Sequence, residues 1–195
     1  QAASAALADQ SVGQCHRHID IVLANTEDPV LRTPAAVTQV ECLMAERRLP
    51  DAVAAAMRAL GDLGVDIPDS PSDEAIGARF QATAEILARH QPQELLELPL
   101  TEDERVRAAM QLGTLAAVPM IFFDSRIYTV LILAMVRMSV EFGLTDESAF
   151  ALANYGGICV GMGQYGAGAT YGQLGVDLVT QRNAFSLVPL VMLTF

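Results

Sequence analysis

Lysine is absent from this sequence, because all 12 residues counted as Lys or Arg are arginines. A Walker A loop needs a lysine to reach the nucleotide phosphates, and a Schiff-base enzyme needs a lysine amine as its nucleophile. The sequence also has no nucleophile elbow, and its three histidines offer little choice for a Ser–His–Asp triad. We therefore expect a chain without enzyme activity of its own and without a cofactor.

Basic residues are also few compared with acidic ones. The chain has 23 Asp and Glu residues, which give a formal net charge of −11. An acidic chain without a basic stripe repels the phosphate backbone of nucleic acids. We therefore expect no nucleic-acid partner.

Cysteines are rare and scattered, and Cys15, Cys42 and Cys159 form no CxxC pair. An odd number of separated cysteines does not suit a disulfide framework and is typical of a reducing cytosol. The stretch "QCHRHID" invites interpretation as a metal site, but His16 and His18 are two residues apart and point to opposite sides of a helix. Cys15 and His18 share a face without a second pair of ligands, so no metal site is predicted.

Long apolar runs are missing, although 52% of the residues are hydrophobic. The most apolar stretch, residues 127–136, has only ten residues between Arg126 and Arg137, which favours a buried helix over a membrane span. The first residues have neither the basic nor the apolar region of a signal peptide. We expect a cytoplasmic protein without membrane contact.

Helix start and stop signals follow one another along the whole chain, and strand signals are nearly absent. The sequence predicts an all-α fold. Thr33, Ser70, Thr101, Asp124 and Thr145 are predicted to open helices, and Pro119 is predicted to interrupt one. The expected helices cover about 2–24, 34–47, 51–64, 71–89, 102–118, 125–142, 146–161 and 165–182.

Glycines cluster in "GMGQYG", residues 161–166, which has the spacing of a dinucleotide-binding loop. That loop requires a strand before its first glycine, whereas a helix is predicted here. We interpret Gly161 and Gly163 as the tight turn of a helical hairpin. The four-residue spacings of Gly157 and Gly161, and of Gly168 and Gly172, favour close contact between its helices.

Arginines at helix ends were considered as ligand-binding groups. Arg47–Arg48 and Arg105–Arg107 have the chemistry to grip a phosphate or a carboxylate, although such residues are usually solvated. Arg126 and Arg137, which flank the apolar stretch, are candidate partners for buried acids.

Two segments fit the helix–turn–helix pattern of tetratricopeptide repeats, in which small residues allow close helix contact. The first set is Val40, Leu43, Ala52, Ala56 and Ala59; the second is Tyr155, Ile158, Ala167, Tyr171 and Leu174. The pattern predicts antiparallel helix pairs that stack as an α-α superhelix. We expect one helical-repeat domain over 1–195, with the clearest pairs in 1–66 and 145–182 and atypical helices in 67–144.

Three blocks carry a resemblance to a known family: "LMAERRLPDAVAAAMRALGDLG" and the residues after it, then 92–156, then "GQYGAGATYGQLGVDLV". The stretch 29–195 resembles the tetratricopeptide-like helical region of large bacterial signalling proteins. These combine a Ser/Thr-kinase-like domain, a predicted AAA-type ATPase, often a GAF domain, and a sensor histidine kinase. This chain is more acidic than usual members of the family. Because it begins without Met, we expect a piece of a larger protein.

The resemblance implies a non-catalytic scaffold that contacts a partner segment or neighbouring domains of its chain. The family's catalytic and ATP-binding residues lie outside the matched region. Val37, Glu41, Met44 and Leu152 fall on the groove-facing side of the repeat pattern and are the candidate partner contacts.

Two other classes stay open at this stage. One is a small-molecule sensor with an apolar pocket around Phe122, Phe123 and Tyr128, either in a signalling protein or in a helical-repeat transcription regulator. The other, an enzyme in its own right, is disfavoured by the missing lysine. Oligomerisation is left open, since an exposed apolar C-terminus favours self-association.

Overall fold

A computed structural model of the chain describes residues 2–192, with side chains described at 13, 14 and 16–192. Within residues 2–192 the regular elements are helices, and the β structure is limited to one parallel bridge between Leu100 and Leu144. The prediction of an all-α fold is confirmed. The α-helices are α1 (Ala2–Asn25), α2 (Pro29–Ala45), α3 (Leu49–Asp62), α4 (Asp73–Leu87), α5 (Glu104–Phe123), α6 (Ser125–Glu141), α7 (Ser148–Gly161), α8 (Tyr165–Arg182) and α9 (Val188–Met192). Short 3₁₀ helices cover Pro92–Glu97 and Phe185–Leu187.

Helix α2 begins one turn earlier than predicted. The Asp28 carboxylate accepts a hydrogen bond from the backbone N–H of Val30 at 2.9 Å, and Pro29 occupies the first helical position. Asp followed by Pro is as good a start signal as Thr33 followed by Pro34, and the earlier signal prevails. Thr33 lies inside the helix, where its hydroxyl donates to the carbonyl oxygen of Pro29 at 3.0 Å.

The predicted starts of α4 and α5 were wrong by two residues. Helix α4 is capped by Ser72, whose Oγ accepts from the N–H of Ala75 at 3.1 Å, and not by Ser70. Helix α5 is capped by Asp103, whose carboxylate accepts from the N–H of Arg105 at 2.8 Å, and not by Thr101. Each observed cap lies closer to the first residue whose apolar side chain enters the core, so packing selects among several capping residues.

In the loop before α7, Thr145 does not act as the helix cap. Thr145 was expected to cap this helix, but its own backbone N–H donates to Oγ of Ser148 at 3.0 Å, and the helix begins at Ser148. The Ser148 hydroxyl oxygen lies 2.8 Å from that of Ser139 on α6, and Ser139 donates to the carbonyl oxygen of Met135. This buried polar chain joins the end of α6 to the start of α7.

The boundary between α5 and α6 was predicted only in part. Asp124 caps α6 as expected, with its carboxylate accepting from the N–H of Arg126 at 2.8 Å. Pro119 does not end α5, which continues to Phe123. A proline removes one helical hydrogen bond, but Met120 is fully buried and its carbonyl accepts from the N–H of Asp124 at 2.8 Å. Core packing therefore carries the helix past the proline.

Consecutive helices form hairpins at four points of the described chain. The pairs α1/α2, α2/α3, α5/α6 and α7/α8 are each joined by one to three residues and pack against each other. Helix α5 also packs against α2 and α3, α6 packs against α7, and α4 packs against α6. One hydrophobic core runs through these contacts and includes buried residues from Val40 on α2 to Val191 on α9.

The hairpin α7/α8 brings two backbones into direct contact at glycines. A Cβ added to Gly156 would lie 2.7 Å from the backbone nitrogen of Gly172 and 2.8 Å from the carbonyl oxygen of Gly168. Gly175 is similarly close to Ala149 and Ala153. In the turn, Gly163 has a φ of +76°, which glycine adopts without strain. The hairpin interpretation is confirmed. Of the glycines predicted at the helix contact, Gly168 lies against Gly156 and Val160 of α7, whereas a Cβ added to Gly161 would meet nothing within 4 Å.

The Gly156→Ala variant is expected to be less stable than the wild type by about 2 kcal/mol or more, because the added methyl meets backbone atoms that cannot move without separating the helices. Urea unfolding followed by circular dichroism measures the difference.

The matched control is Gly77→Ala in α4, where no atom lies within 4 Å of the added carbon. This variant is expected to be more stable by about 0.5–1 kcal/mol, because alanine is the better helix former. Equal effects of the two substitutions would show that the contact between α7 and α8 does not depend on Gly156.

Candidate functional site

Three of the four residues predicted to face a binding groove share one face of α2, and the fourth, Leu152, does not reach the surface. Glu41 is exposed on α2, and Val37 and Met44 are half-buried and pack against the core. Leu152 on α7 is only 2% exposed, so it is not available to a partner. Its prediction was wrong because α7 is covered on several sides, by α6, α8 and α9.

The predicted apolar pocket around residues 119–128 is not assembled from the expected side chains. Phe122 is 77% exposed and projects into solvent. Phe123 lines a shallow cleft of about 400 Å³ beside Pro50 and Val53 of α3. Tyr128 points elsewhere, because its hydroxyl donates a hydrogen bond to the Oδ1 of Asn154 on α7.

A different cleft, of about 370 Å³, combines an apolar floor with charged walls. It lies between the loop after α3, the middle of α4, the start of α5 and the second half of α6. We call it the arginine cleft, after Arg79, Arg105 and Arg137 in its walls. Its apolar lining consists of Leu63, Val65, Val106, Ala109, Val130, Leu133, Ala134, Met138 and Phe142, and its acidic residues are Asp66, Asp103 and Glu141.

A short backbone bridge fixes one end of the arginine cleft. The N–H of Thr101 donates to the carbonyl oxygen of Leu144 at 3.0 Å, and the N–H of Leu144 donates to that of Pro99 at 2.8 Å. Gly143 makes this approach possible, since its φ is +102° and an added Cβ would lie 2.7 Å from the Pro99 oxygen. The start of α5 and the end of α6 are therefore held side by side.

The charged residues of the arginine cleft differ in how far they are neutralised. Arg79 is paired with Asp66, with Nη2 and Oδ2 at 2.5 Å. Arg137 has a longer contact of 3.3 Å between its Nη2 and the Oε1 of Glu141, one turn along the same helix. The guanidinium of Arg105 has no acceptor among the described side chains and backbone groups, and the carboxylate of Asp103 is used as the cap of α5.

The two arginines predicted to pair with buried acids instead pair along their own helix. The Nε of Arg126 lies 3.4 Å from the Oδ1 of Asp124. Hydrogen bonds from the backbone N–H and the side chain of Arg126 lower the pKa of Asp124. Neither Asp124 nor Glu141 is buried. The prediction was wrong in its partner, although Arg137 does lie in a cleft.

The buried reactive groups lie away from the arginine cleft. Tyr155 on α7 stacks against Phe80 at 5.6 Å and meets the edge of Tyr171 at 5.0 Å between ring centres. Burial raises the pKa of Tyr155 and Tyr171, and it raises that of the neighbouring Cys159 thiol. These groups are neutral at pH 7 and act as packing residues.

The histidine segment on α1 is tied to α2. His16 Nε2 lies 2.6 Å from Oε1 of Glu46, and this hydrogen bond lowers the pKa of Glu46. His18 is exposed, and the side chain of Cys15 lies outside the described residues. Within the described part of the chain, no group of three or more His, Cys, Asp or Glu side chains could hold a metal ion.

Helix α5 is the one described helix that is long and apolar enough to cross a membrane. Of its most apolar 18-residue window, 61% is buried inside the bundle. The core helix of a soluble protein passes the same test of length and composition, so the finding is weak evidence for a membrane span.

Comparisons of the chain with protein-family models, with curated proteins and with solved structures found no match. The resemblance to bacterial signalling proteins therefore stays a prediction.

The hydrogen bond between Tyr128 and Asn154 leads to a prediction on pH. Burial raises the pKa of Tyr128 to about 12, against about 10 for an exposed tyrosine. Because the folded pKa is the higher one, the stability linked to the neutral phenol is complete below pH ~10 and is lost as pH rises through ~12. Unfolding in urea at pH 8 and at pH 11.5 is expected to show lower stability at the higher pH.

The Tyr128→Phe variant removes this phenol and leaves the Oδ1 of Asn154 without its donor. It is expected to be about 1 kcal/mol less stable at pH 8 and to lose less stability between pH 8 and 11.5 than the wild type. Tyr165→Phe, at a 72% exposed ring, is the control for loss of a hydroxyl and should leave stability at pH 8 unchanged. An equal loss of stability at high pH in wild type and Tyr128→Phe would contradict the assignment.

Proposed function

We propose that this chain is a non-catalytic helical-repeat scaffold of a bacterial signal-transduction ATPase–kinase, and that it mediates protein–protein or interdomain contacts. The observation that supports this most is the order in which the helices pack. Tetratricopeptide-like repeats stack so that the first helix of each pair contacts both helices of the pair before it. In agreement, α5 packs against both α2 and α3.

The following pair repeats the same relation. Helix α7 packs against α6 and makes a smaller contact with α5, and it forms the next hairpin with α8. This succession of contacts among α2/α3, α5/α6 and α7/α8 supports the proposed superhelix of stacked pairs. On this basis α1, which packs on α2, is proposed as a helix from the repeat before, and the domain is proposed to run through the whole chain.

The segment that includes α4 and the 3₁₀ helix Pro92–Glu97 interrupts this order. Helix α4 packs on α6, and the 3₁₀ helix contacts α8, where the side chain of Gln181 donates to the Leu96 carbonyl oxygen at 3.2 Å. Both contacts are on second helices of the proposed pairs. We propose that the segment covers the outer side and leaves the exposed side of α2, including Glu41, for a cytoplasmic protein partner or a neighbouring domain.

A photo-crosslinkable residue at position 41 tests the proposed surface. Cells that produce the protein with p-benzoylphenylalanine at Glu41 are irradiated, and adducts are detected on denaturing gels. We expect a discrete adduct with a protein, because Glu41 is exposed on α2. The same residue at Ala169, which is exposed on α8, is the control and should give none. Adducts at 169 but not at 41 would place the partner on the other side.

The proposed parent protein is tested by the size of the native product. An immunoblot of source cells with an antibody to this chain is expected to show a band far above its mass of 20.8 kDa. A band near 20.8 kDa would contradict a scaffold inside a multidomain kinase and would leave a free-standing helical adaptor.

The small-molecule sensor remains the second candidate function. The residues first expected to form its pocket diverge, but the arginine cleft has the volume and the mixed lining of a ligand site.

A further inference from the structure

From the arginine cleft we infer a binding site for a small organic carboxylate with an apolar body, such as a medium-chain fatty acid. The inference rests on the cleft alone and does not depend on the scaffold function. The cleft volume, about 370 Å³, lies at the lower end of the range of small-molecule pockets and is too small for a helix of a partner protein.

The floor of the cleft determines the apolar part of the ligand. Ala134, Met138 and Phe142 of α6 supply the accessible apolar surface of the cleft. Val130, Leu133, Val106 and Ala109 close the floor beneath them with carbon-only side chains that are at most 7% exposed. A ligand that consists only of charged or hydroxyl groups would lose its hydration there without hydrogen-bond partners. An alkyl chain or a phenyl ring gains from burial on the same surface.

The arginines determine the sign of the polar part. Arg105 has no ion-pair or hydrogen-bond partner for its guanidinium in the described structure, and one N–H group of Arg137 is used in the bond to Glu141. The Nε of Arg137 is buried and has no acceptor in the described part of the protein, so the N–H groups that Arg137 offers to a ligand are those of its terminal nitrogens, on a side chain that is 40% exposed. Guanidinium groups bind carboxylates through paired N–H donors, so these arginines have donors to offer an anion.

The three acids in the walls equal the three arginines in number, but each acid is already engaged within the protein. Asp66 is paired with Arg79, and Asp103 accepts the backbone N–H groups of Arg105 and Val106 at the start of α5. Glu141 makes the longer ion pair, with 3.3 Å between its Oε1 and the Nη2 of Arg137. A ligand carboxylate would displace Glu141 from Arg137 or bind Arg137 together with it. A monoanion fits this balance better than a dianion.

Isothermal titration calorimetry of the chain with sodium decanoate tests the inference, with decan-1-ol as the uncharged probe of equal length. We expect decanoate to bind with one site per chain and decanol to bind about tenfold more weakly. Arg105→Gln and Arg137→Gln should each weaken decanoate binding about tenfold, the usual scale for a hydrogen bond to a charged group. Because charge contributes, affinity for decanoate should fall as salt concentration rises.

Arg126→Gln is the matched control, because Arg126 lies on the same helix, pairs with a nearby acid and is outside the cleft. It should change decanoate affinity less than twofold. Ala134→Phe fills the cleft from α6 and should abolish binding while the circular dichroism spectrum stays that of the wild type. Arg105 is exposed, so its variant keeps the test valid if Ala134→Phe fails to fold.

Two results would overturn the inference. Equal affinity for decanoate and decanol would show that apolar surface alone attracts the probe. Unchanged decanoate affinity in Arg105→Gln and Arg137→Gln would place the bound molecule elsewhere, for example in the cleft beside Phe123.

Discussion

Burial of the middle of α6 is the constraint on which the rest of the structure depends. Leu131, Ile132, Leu133, Met135 and Val136 are all at most 1% exposed, so nearly every side of this helix must be covered. Each such side chain contributes about 1.5–3 kcal/mol by leaving water, as an upper estimate. Helices α4, α5 and α7 supply the cover. Their positions follow from this requirement more than from their own helix propensities.

The same requirement creates the arginine cleft. Helix α6 is covered by α5 on one side and by α4 on another, and these two helices belong to segments separated by the 3₁₀ helix Pro92–Glu97. Where they diverge, the second half of α6 is left open to solvent between them, and Arg137 is placed beside Leu133 and Met138. An apolar core helix with an arginine in its second half thus becomes the floor and one wall of a ligand-sized cleft. The bridge at Gly143 holds the cleft at its end.

The glycine-rich hairpin shows how far sequence reasoning reaches. The absence of a strand before Gly161 is enough to exclude a dinucleotide loop, and the structure has a helix there. The glycine spacing missed Gly156 of α7, which meets α8, and pointed to Gly161, where an added Cβ would meet nothing within 4 Å. Helix α7 is apolar or small on every side, so its sequence has no polar face to indicate which residues point inward. For the same reason, the sequence pattern predicted a groove-facing position for Leu152, which is buried.

Taken by itself, the sequence determined the all-α class, the approximate extent of most helices, the cap at Asp124 and the glycine turn at Gly163. These depend on neighbouring residues along the chain: capping side chains, φ preferences and a 3.6-residue period. Only the tertiary structure decided which of several caps is used, whether α5 passes Pro119, and which arginines share a cleft. Those outcomes depend on contacts between residues far apart in the chain, such as Arg79 with the loop after α3 and Thr101 with Leu144. A local sequence pattern does not predict such contacts, because the free energy that selects them comes from burial between helices.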